Sequence, residues 1–173
     1  LQGGTMNNKV VTTLVRVFKE LGIASLRFNF RGVGRSFGVY DEGLGESRDM
    51  LLFAKSWQER YPLAQFIFAG FSFGSYVAYR AAAQFPRSLL ISIAPPVHHY
   101  DYHEFKPDFS SWLIIQGDAD EVVPASLVFD FAALESPALP VIVFPDTGHF
   151  FHGKLIELKS QLIDYLRSQV GSL

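Results

Sequence analysis

Short apolar runs and helix-period amphipathic runs alternate along this chain, and that alternation confines the fold to an α/β arrangement built on a mainly parallel sheet. Residues 23–30, 65–71, 89–94, 112–117 and 140–144 read as strands. The helix-period segments between them cover 6–21, 46–61, 74–85, 124–134 and 153–169. In the first, Val10, Val11, Leu14, Val15, Phe18 and Leu21 fall on one face and Gly22 ends the run. Pro62 and Pro86 stop the second and third. On the last, Leu155, Ile156, Leu158, Leu162, Ile163 and Leu166 read as core packing. With 49% of its 173 residues hydrophobic, the chain has enough apolar surface for one substantial core, and 1–173 reads as a single domain.

Two pentapeptides share the letters G-x-S-x-G. Gly70-Phe71-Ser72-Phe73-Gly74 stands between the strand at 65–71 and the helix at 74–85. A sharp strand-to-helix turn of this kind exposes a serine hydroxyl, small residues on either side let the backbones approach, and the helix start directs N–H groups at the site. Gly34-Arg35-Ser36-Phe37-Gly38 has neither neighbour in place: a glycine-rich loop separates it from the strand at 23–30, and the residues after it are poor helix formers. Ser72 is therefore the candidate nucleophile and Ser36 the coincidence. The same loop contains Gly32-Val33-Gly34 but lacks the full G-x-G-x-x-G, which argues against dinucleotide binding.

Composition removes several other functions. A net charge of −2 with scattered basic residues leaves no nucleic-acid footprint. The absence of cysteine excludes disulfides, a thiol nucleophile and a cysteine-based zinc site. No apolar run approaches the length of a bilayer span and no signal core opens the chain, so the default placement is cytoplasmic, with no membrane partner. Neither cofactor nor metal is called for. A chain that opens on Leu1 rather than Met reads as beginning within a longer protein.

A serine hydroxyl needs a general base, and the base needs an acid to fix its tautomer. His149, in a short glycine-containing loop after the strand at 140–144, is the expected base. The acid falls in Gly117-Asp118-Ala119-Asp120-Glu121, where Asp120 leads Asp118, with Glu121 and Asp146 as lesser options; spacing does not choose between the two aspartates. Both loops follow carboxyl ends of strands, where ligands bind in open α/β sheets. His98, His99 and His103 lie in the irregular, polar segment 97–110, which is too short for a cap domain and leaves the site open.

Across nearly its whole length the chain resembles the α/β-hydrolase superfamily. The motifs that carry the resemblance are Gly70–Gly74, Gly117-x-x-Asp120-x-x-Val123-Pro124 and Arg31-Gly32-x-Gly34-x-Ser36. The Gly3-Gly4-Thr5-Met6-Asn7-Asn8 stretch and His149-Phe150-Phe151-His152-Gly153 are similar to small, lidless bacterial serine hydrolases. The resemblance implies a three-layer α/β-hydrolase sandwich without cap domain, lacking its N-terminal strands, and a triad whose acid is Asp120. It also implies an oxyanion hole made by the N–H of Phe73 and a second donor from Leu1 or Gln2. Asn29 stands where the family often has Asp, and the His-Pro-His-Pro stretch usual before Gly3-Gly4 is missing.

The expected function is hydrolysis of small, accessible carboxylic esters through Ser72, His149 and Asp120. Peptidase, thioesterase and acyltransferase chemistry could use the same triad. From a different class, a non-catalytic binding protein retaining the fold is the alternative. Oligomeric state and the natural substrate are not encoded in these motifs.

Overall fold

The computed structural model describes residues 4–170, the last without its side chain. These residues fall into two compact units, one running to Phe37 and resuming at Phe150, the other Gly38–His149. In the first, α1 (Lys9–Glu20) packs against α5 (Leu155–Val170). Asn8 caps α1, its side-chain oxygen accepting from Val10 N at 2.8 Å. Val10, Leu14, Val17 and Phe18 of α1 and Leu158, Leu162, Ile163 and Leu166 of α5 are buried, and Lys159 pairs with Glu20. Ile156 departs from the expected stripe at 87% exposed, because it points off the face that Leu158 and Leu162 define.

The second unit is built on a four-stranded, all-parallel sheet in the order β1 (Ile67–Phe71), β2 (Leu89–Ile93), β3 (Ser111–Gly117), β4 (Val141–Phe144). Leu90, Trp112 and Ile114 join a core with α2 (Leu44–Arg60), α3 (Phe73–Ala82) and α4 (Ala125–Leu134). Residues of opposite parity, Ile91, Ile93, Leu113 and Ile115, are also completely buried. Burial on both faces explains why these strands read as unbroken apolar runs. Each such aliphatic side chain contributes about 1.5–3 kcal/mol by leaving water.

Helix α3 is buried all round from Ser75 to Ala82, and its one charge is correspondingly well partnered. Arg80 reaches Ser47 Oγ at 3.2 Å, Tyr76 OH at 3.1 Å and the Glu104 carboxylate, with its guanidinium over the rings of Tyr76 and Phe105. A buried charge survives only with such partners.

The expected strand at 23–30 is not formed: no ladder among the described residues includes it. Composition suits the segment to a strand, but a strand exists only through a neighbouring edge. Within its own unit this stretch is tied by side chains instead. Asn29 Oδ1 accepts from Met6 N at 2.8 Å, and Arg27 Nη1 donates to Met6 O at 2.8 Å. Among the described residues, no helix is long and apolar enough to cross a membrane.

Candidate active site

The register aligns Phe71 with Ile93 and Gly117 with Phe144, so the parallel strands end at one common edge. Three loops leave that edge carrying Ser72, Asp120 and His149. Ser72 N still donates to Ile93 O at 2.8 Å, which anchors the first turn residue to β2. The chain then turns at Ser72 with φ 52 and ψ −124, a conformation that costs a non-glycine residue about 1–3 kcal/mol. Close approach makes the turn possible: a Cβ on residue 70 would lie 2.0 Å from the carbonyl oxygen of Gly74. Helix α3 begins one residue later, at Phe73.

The strained residue is also clamped from behind. Ser72 O accepts from Ser75 N at 2.8 Å and from Ser75 Oγ at 2.6 Å. Ser75 Oγ is in turn 2.8 Å from Tyr102 OH. Tyr102 comes from the segment 97–110 yet is 3% exposed, so part of that polar connection belongs to the support of the turn. Its sequence surroundings gave no sign of this.

The other two loops are brought together at Gly117. A Cβ there would meet Thr147 O at 2.1 Å, and the backbone of the two loops is joined by Asp118 N to Phe144 O and Ala119 N to Thr147 O. The structure thereby places Asp120 and not Asp118 beside the histidine: Asp120 Oδ2 is 2.8 Å from His149 Nδ1, whereas Asp118 is exposed. His149 Nε2 is 3.1 Å from Ser72 Oγ. Glu121 has a different contact, accepting from His149 N at 3.3 Å, and Asp146 is exposed.

Four donors converge on the Asp120 carboxylate. Oδ1 accepts from Val122 N at 2.8 Å and Val123 N at 2.7 Å, and Oδ2 from His149 Nδ1 and from Gln116 Nε2 at 3.2 Å. Burial alone would raise the Asp120 pKa, but the bonds from His149, Val123 and Val122 outweigh it and hold the carboxyl below its ordinary value. Asp120 is thus ionised at neutral pH and can only accept. It follows that Nδ1 of a neutral His149 carries the proton, leaving the Nε2 lone pair facing the Ser72 hydroxyl.

Phe71 and Phe73 flank the serine with different contacts. Phe71 lies against the His149 ring at 4.8 Å between centroids, while Phe73 sits between Tyr40 at 5.5 Å and Tyr100 at 5.8 Å. Phe151 is completely buried. The His98 and His99 rings lie 3.9 Å apart between centroids and tilted by 40°, and His103 pairs with Glu135 at 2.6 Å. Burial, then the neighbouring His99, lowers the His98 pKa. Leu1 and Gln2, expected to supply the second oxyanion donor, lie outside the described residues. No cluster of His, Cys, Asp and Glu suited to a metal ion occurs among the described residues.

The other pentapeptide has none of this. Ser36 Oγ donates to Asn29 O at 2.8 Å within a loop of turns, and no helix follows directly.

Comparison with known proteins agrees with this architecture. A lidless α/β serine hydrolase from Xanthomonas campestris superposes with a TM-score of 0.91 at 45% identity, covering 96% of this chain and 76% of that one. The chain belongs to the α/β serine hydrolases. An α/β serine hydrolase homologue from Coxiella burnetii gives 0.89 at 43% identity, covering 95% of this hydrolase and 79% of that chain. An uncharacterised protein of Rickettsia prowazekii is 35% identical, over 96% of this hydrolase and 74% of its own length. No family model matches the chain.

Proposed function

We propose that this hydrolase cleaves short carboxylic esters through an acyl-enzyme on Ser72. The observation that supports the reading is the continuous path from Ser72 Oγ to His149 Nε2 at 3.1 Å and from His149 Nδ1 to Asp120 Oδ2 at 2.8 Å, with the serine raised on a strained turn. Ser72 Oγ attacks the ester carbonyl carbon while its proton passes to His149 Nε2. The oxyanion forms beside the start of α3, where the Phe73 N–H and the positive end of the helix dipole stabilise it. His149 then protonates the leaving alkoxide, and the ester C–O bond breaks. In the second half, His149 takes a proton from water, the hydroxide attacks the acyl carbon, and the proton returns to Ser72 as the acid departs. Asp120 remains ionised throughout, holding His149 in the productive tautomer and stabilising the imidazolium.

Short substrates follow from the size of segment 97–110, which is too small to enclose a long acyl chain. The test is a series of p-nitrophenyl esters from acetate to palmitate, followed as kcat/KM. The expected result is a maximum at two to four acyl carbons, about tenfold or more above the longest soluble member. Fastest turnover of the long chains would contradict the substrate class, and no turnover of any ester by folded protein would contradict esterase chemistry.

A further inference from the structure

Gln116 is an amide in the wrong place for a simple strand. It follows Trp112-Leu113-Ile114-Ile115 on β3, is completely buried, and occupies a position where a strand covered on both faces ordinarily carries an aliphatic side chain. Its Nε2 donates to Gly117 O at 3.1 Å and to Asp120 Oδ2 at 3.2 Å. Its Oε1 is buried and has no hydrogen-bond partner among the described residues. An orphaned buried acceptor is costly and calls for a reason. Turning the amide over would not cure it, because Oε1 would then face the Gly117 carbonyl and the Asp120 carboxylate, both acceptors. The orphaned oxygen is the consequence of holding a donor against Asp120.

We propose that Gln116 is a positioning residue that fixes the Asp120 carboxylate for its contact with His149. The inference rests on the reading of Ser72, His149 and Asp120 given above. Val122 N and Val123 N both secure the same oxygen, Oδ1. Oδ2 meets His149 Nδ1, and Gln116 supplies its other donor. Without the amide, the carboxylate can pivot about its Oδ1 end and the angle at which it meets the imidazole is no longer set. Two donors on Oδ2 and two on Oδ1 leave the carboxylate one geometry; with one fewer on Oδ2, more than one is open to it.

The experiment replaces Gln116 with two apolar side chains, Gln116→Met and Gln116→Leu, in the whole chain. Each variant loses two hydrogen bonds, to Asp120 and to Gly117 O, but also sheds one orphaned acceptor and buries an apolar side chain in its place, effects that largely offset, so Tm should stay within about 3 °C of the parent. On p-nitrophenyl acetate, kcat should fall roughly tenfold with KM unchanged, a fraction of the 10²–10⁴-fold that a positioned base contributes. The proton NMR signal of the hydrogen bonded between His149 and Asp120, far downfield in the parent, should move or broaden in both variants. Unchanged kcat together with an unchanged NMR signal overturns the proposal. So does a parallel fall of kcat and Tm in both variants, the signature of a merely structural role. A folded parent that neither turns over esters nor reacts with a fluorophosphonate overturns the underlying triad reading, and the inference with it; a reactive parent with equally reactive variants overturns the inference alone.

Discussion

Two pentapeptides in this hydrolase have the same five-letter pattern, and almost nothing else about them agrees. Ser72 sits at φ 52 with its N–H still bound to β2, its carbonyl clamped by Ser75 and its hydroxyl 3.1 Å from His149 Nε2. Ser36 is in a loop, and its hydroxyl is spent on the carbonyl of Asn29. The pattern therefore encodes only small residues around a serine. What makes one copy a candidate nucleophile is the strand that stops just before it, the helix that starts just after it, and two further loops delivered by β3 and β4 to the same sheet edge.

The largest expected effects separate the two serines outright. Ser72→Ala should lower ester turnover by roughly 10⁵- to 10⁶-fold, as loss of an activated nucleophile does, whereas Ser36→Ala should leave kcat/KM within about threefold. Steady-state kinetics on p-nitrophenyl acetate reads both. Next comes the acid. Asp120→Asn keeps the shape but offers an amide to His149 Nδ1, and kcat should fall roughly 10³- to 10⁴-fold. Asp118→Asn, at an exposed position two residues away, should change kcat less than about threefold.

The glycines sharpen the contrast in stability. Gly70→Ala drives a Cβ into the backbone of Gly74 and Ser75, at 2.0 and 2.6 Å, and should cost about 3 kcal/mol or more by urea unfolding. Gly34→Ala meets only the end of the Asn29 side chain at 2.8 Å, so its cost is mainly that of placing alanine at φ +58, about 1–2 kcal/mol. If the two cost the same, the tight turn at Ser72 is not the constrained element described above.

The smallest effect concerns pH. Asp120 has a folded-state pKa below its unfolded value, so the native state binds fewer protons there and gains stability above the ordinary carboxylate range. That gain is lost as pH falls below about 3.9 toward the folded value. Urea midpoints of the parent and of Asp120→Asn should therefore converge as pH drops from 7 toward 3; a constant difference would show that Asp120 is not held ionised by its partners.

Most of the sheet and its helices could be read from the sequence because burial on both faces writes itself as continuous apolar runs, and because Pro62 and Pro86 mark ends. The segment 23–30 reads as a strand yet joins no ladder among the described residues, since pairing is a property of two segments and composition reports on only one. Among the candidate site residues, Ser72 and His149 were legible from strand-turn-helix context. The choice of Asp120 over Asp118 depended on the resemblance, and geometrically it depends on where Val122 N, Val123 N and Gln116 Nε2 point, which spacing does not encode. Gln116 passed as one more strand residue, and Tyr102 as part of a polar connection. Both act through contacts distant in the sequence or hidden in a side-chain orientation.

We propose that Ser72, and not Ser36, is the activated serine. Treating the folded protein with a fluorophosphonate, digesting it and locating the adduct by mass spectrometry tests this directly. A stoichiometric adduct is expected on Ser72, absent in Ser72→Ala, strongly slowed in His149→Ala and retained in Ser36→Ala; an adduct on Ser36, or none on either serine, would overturn the assignment.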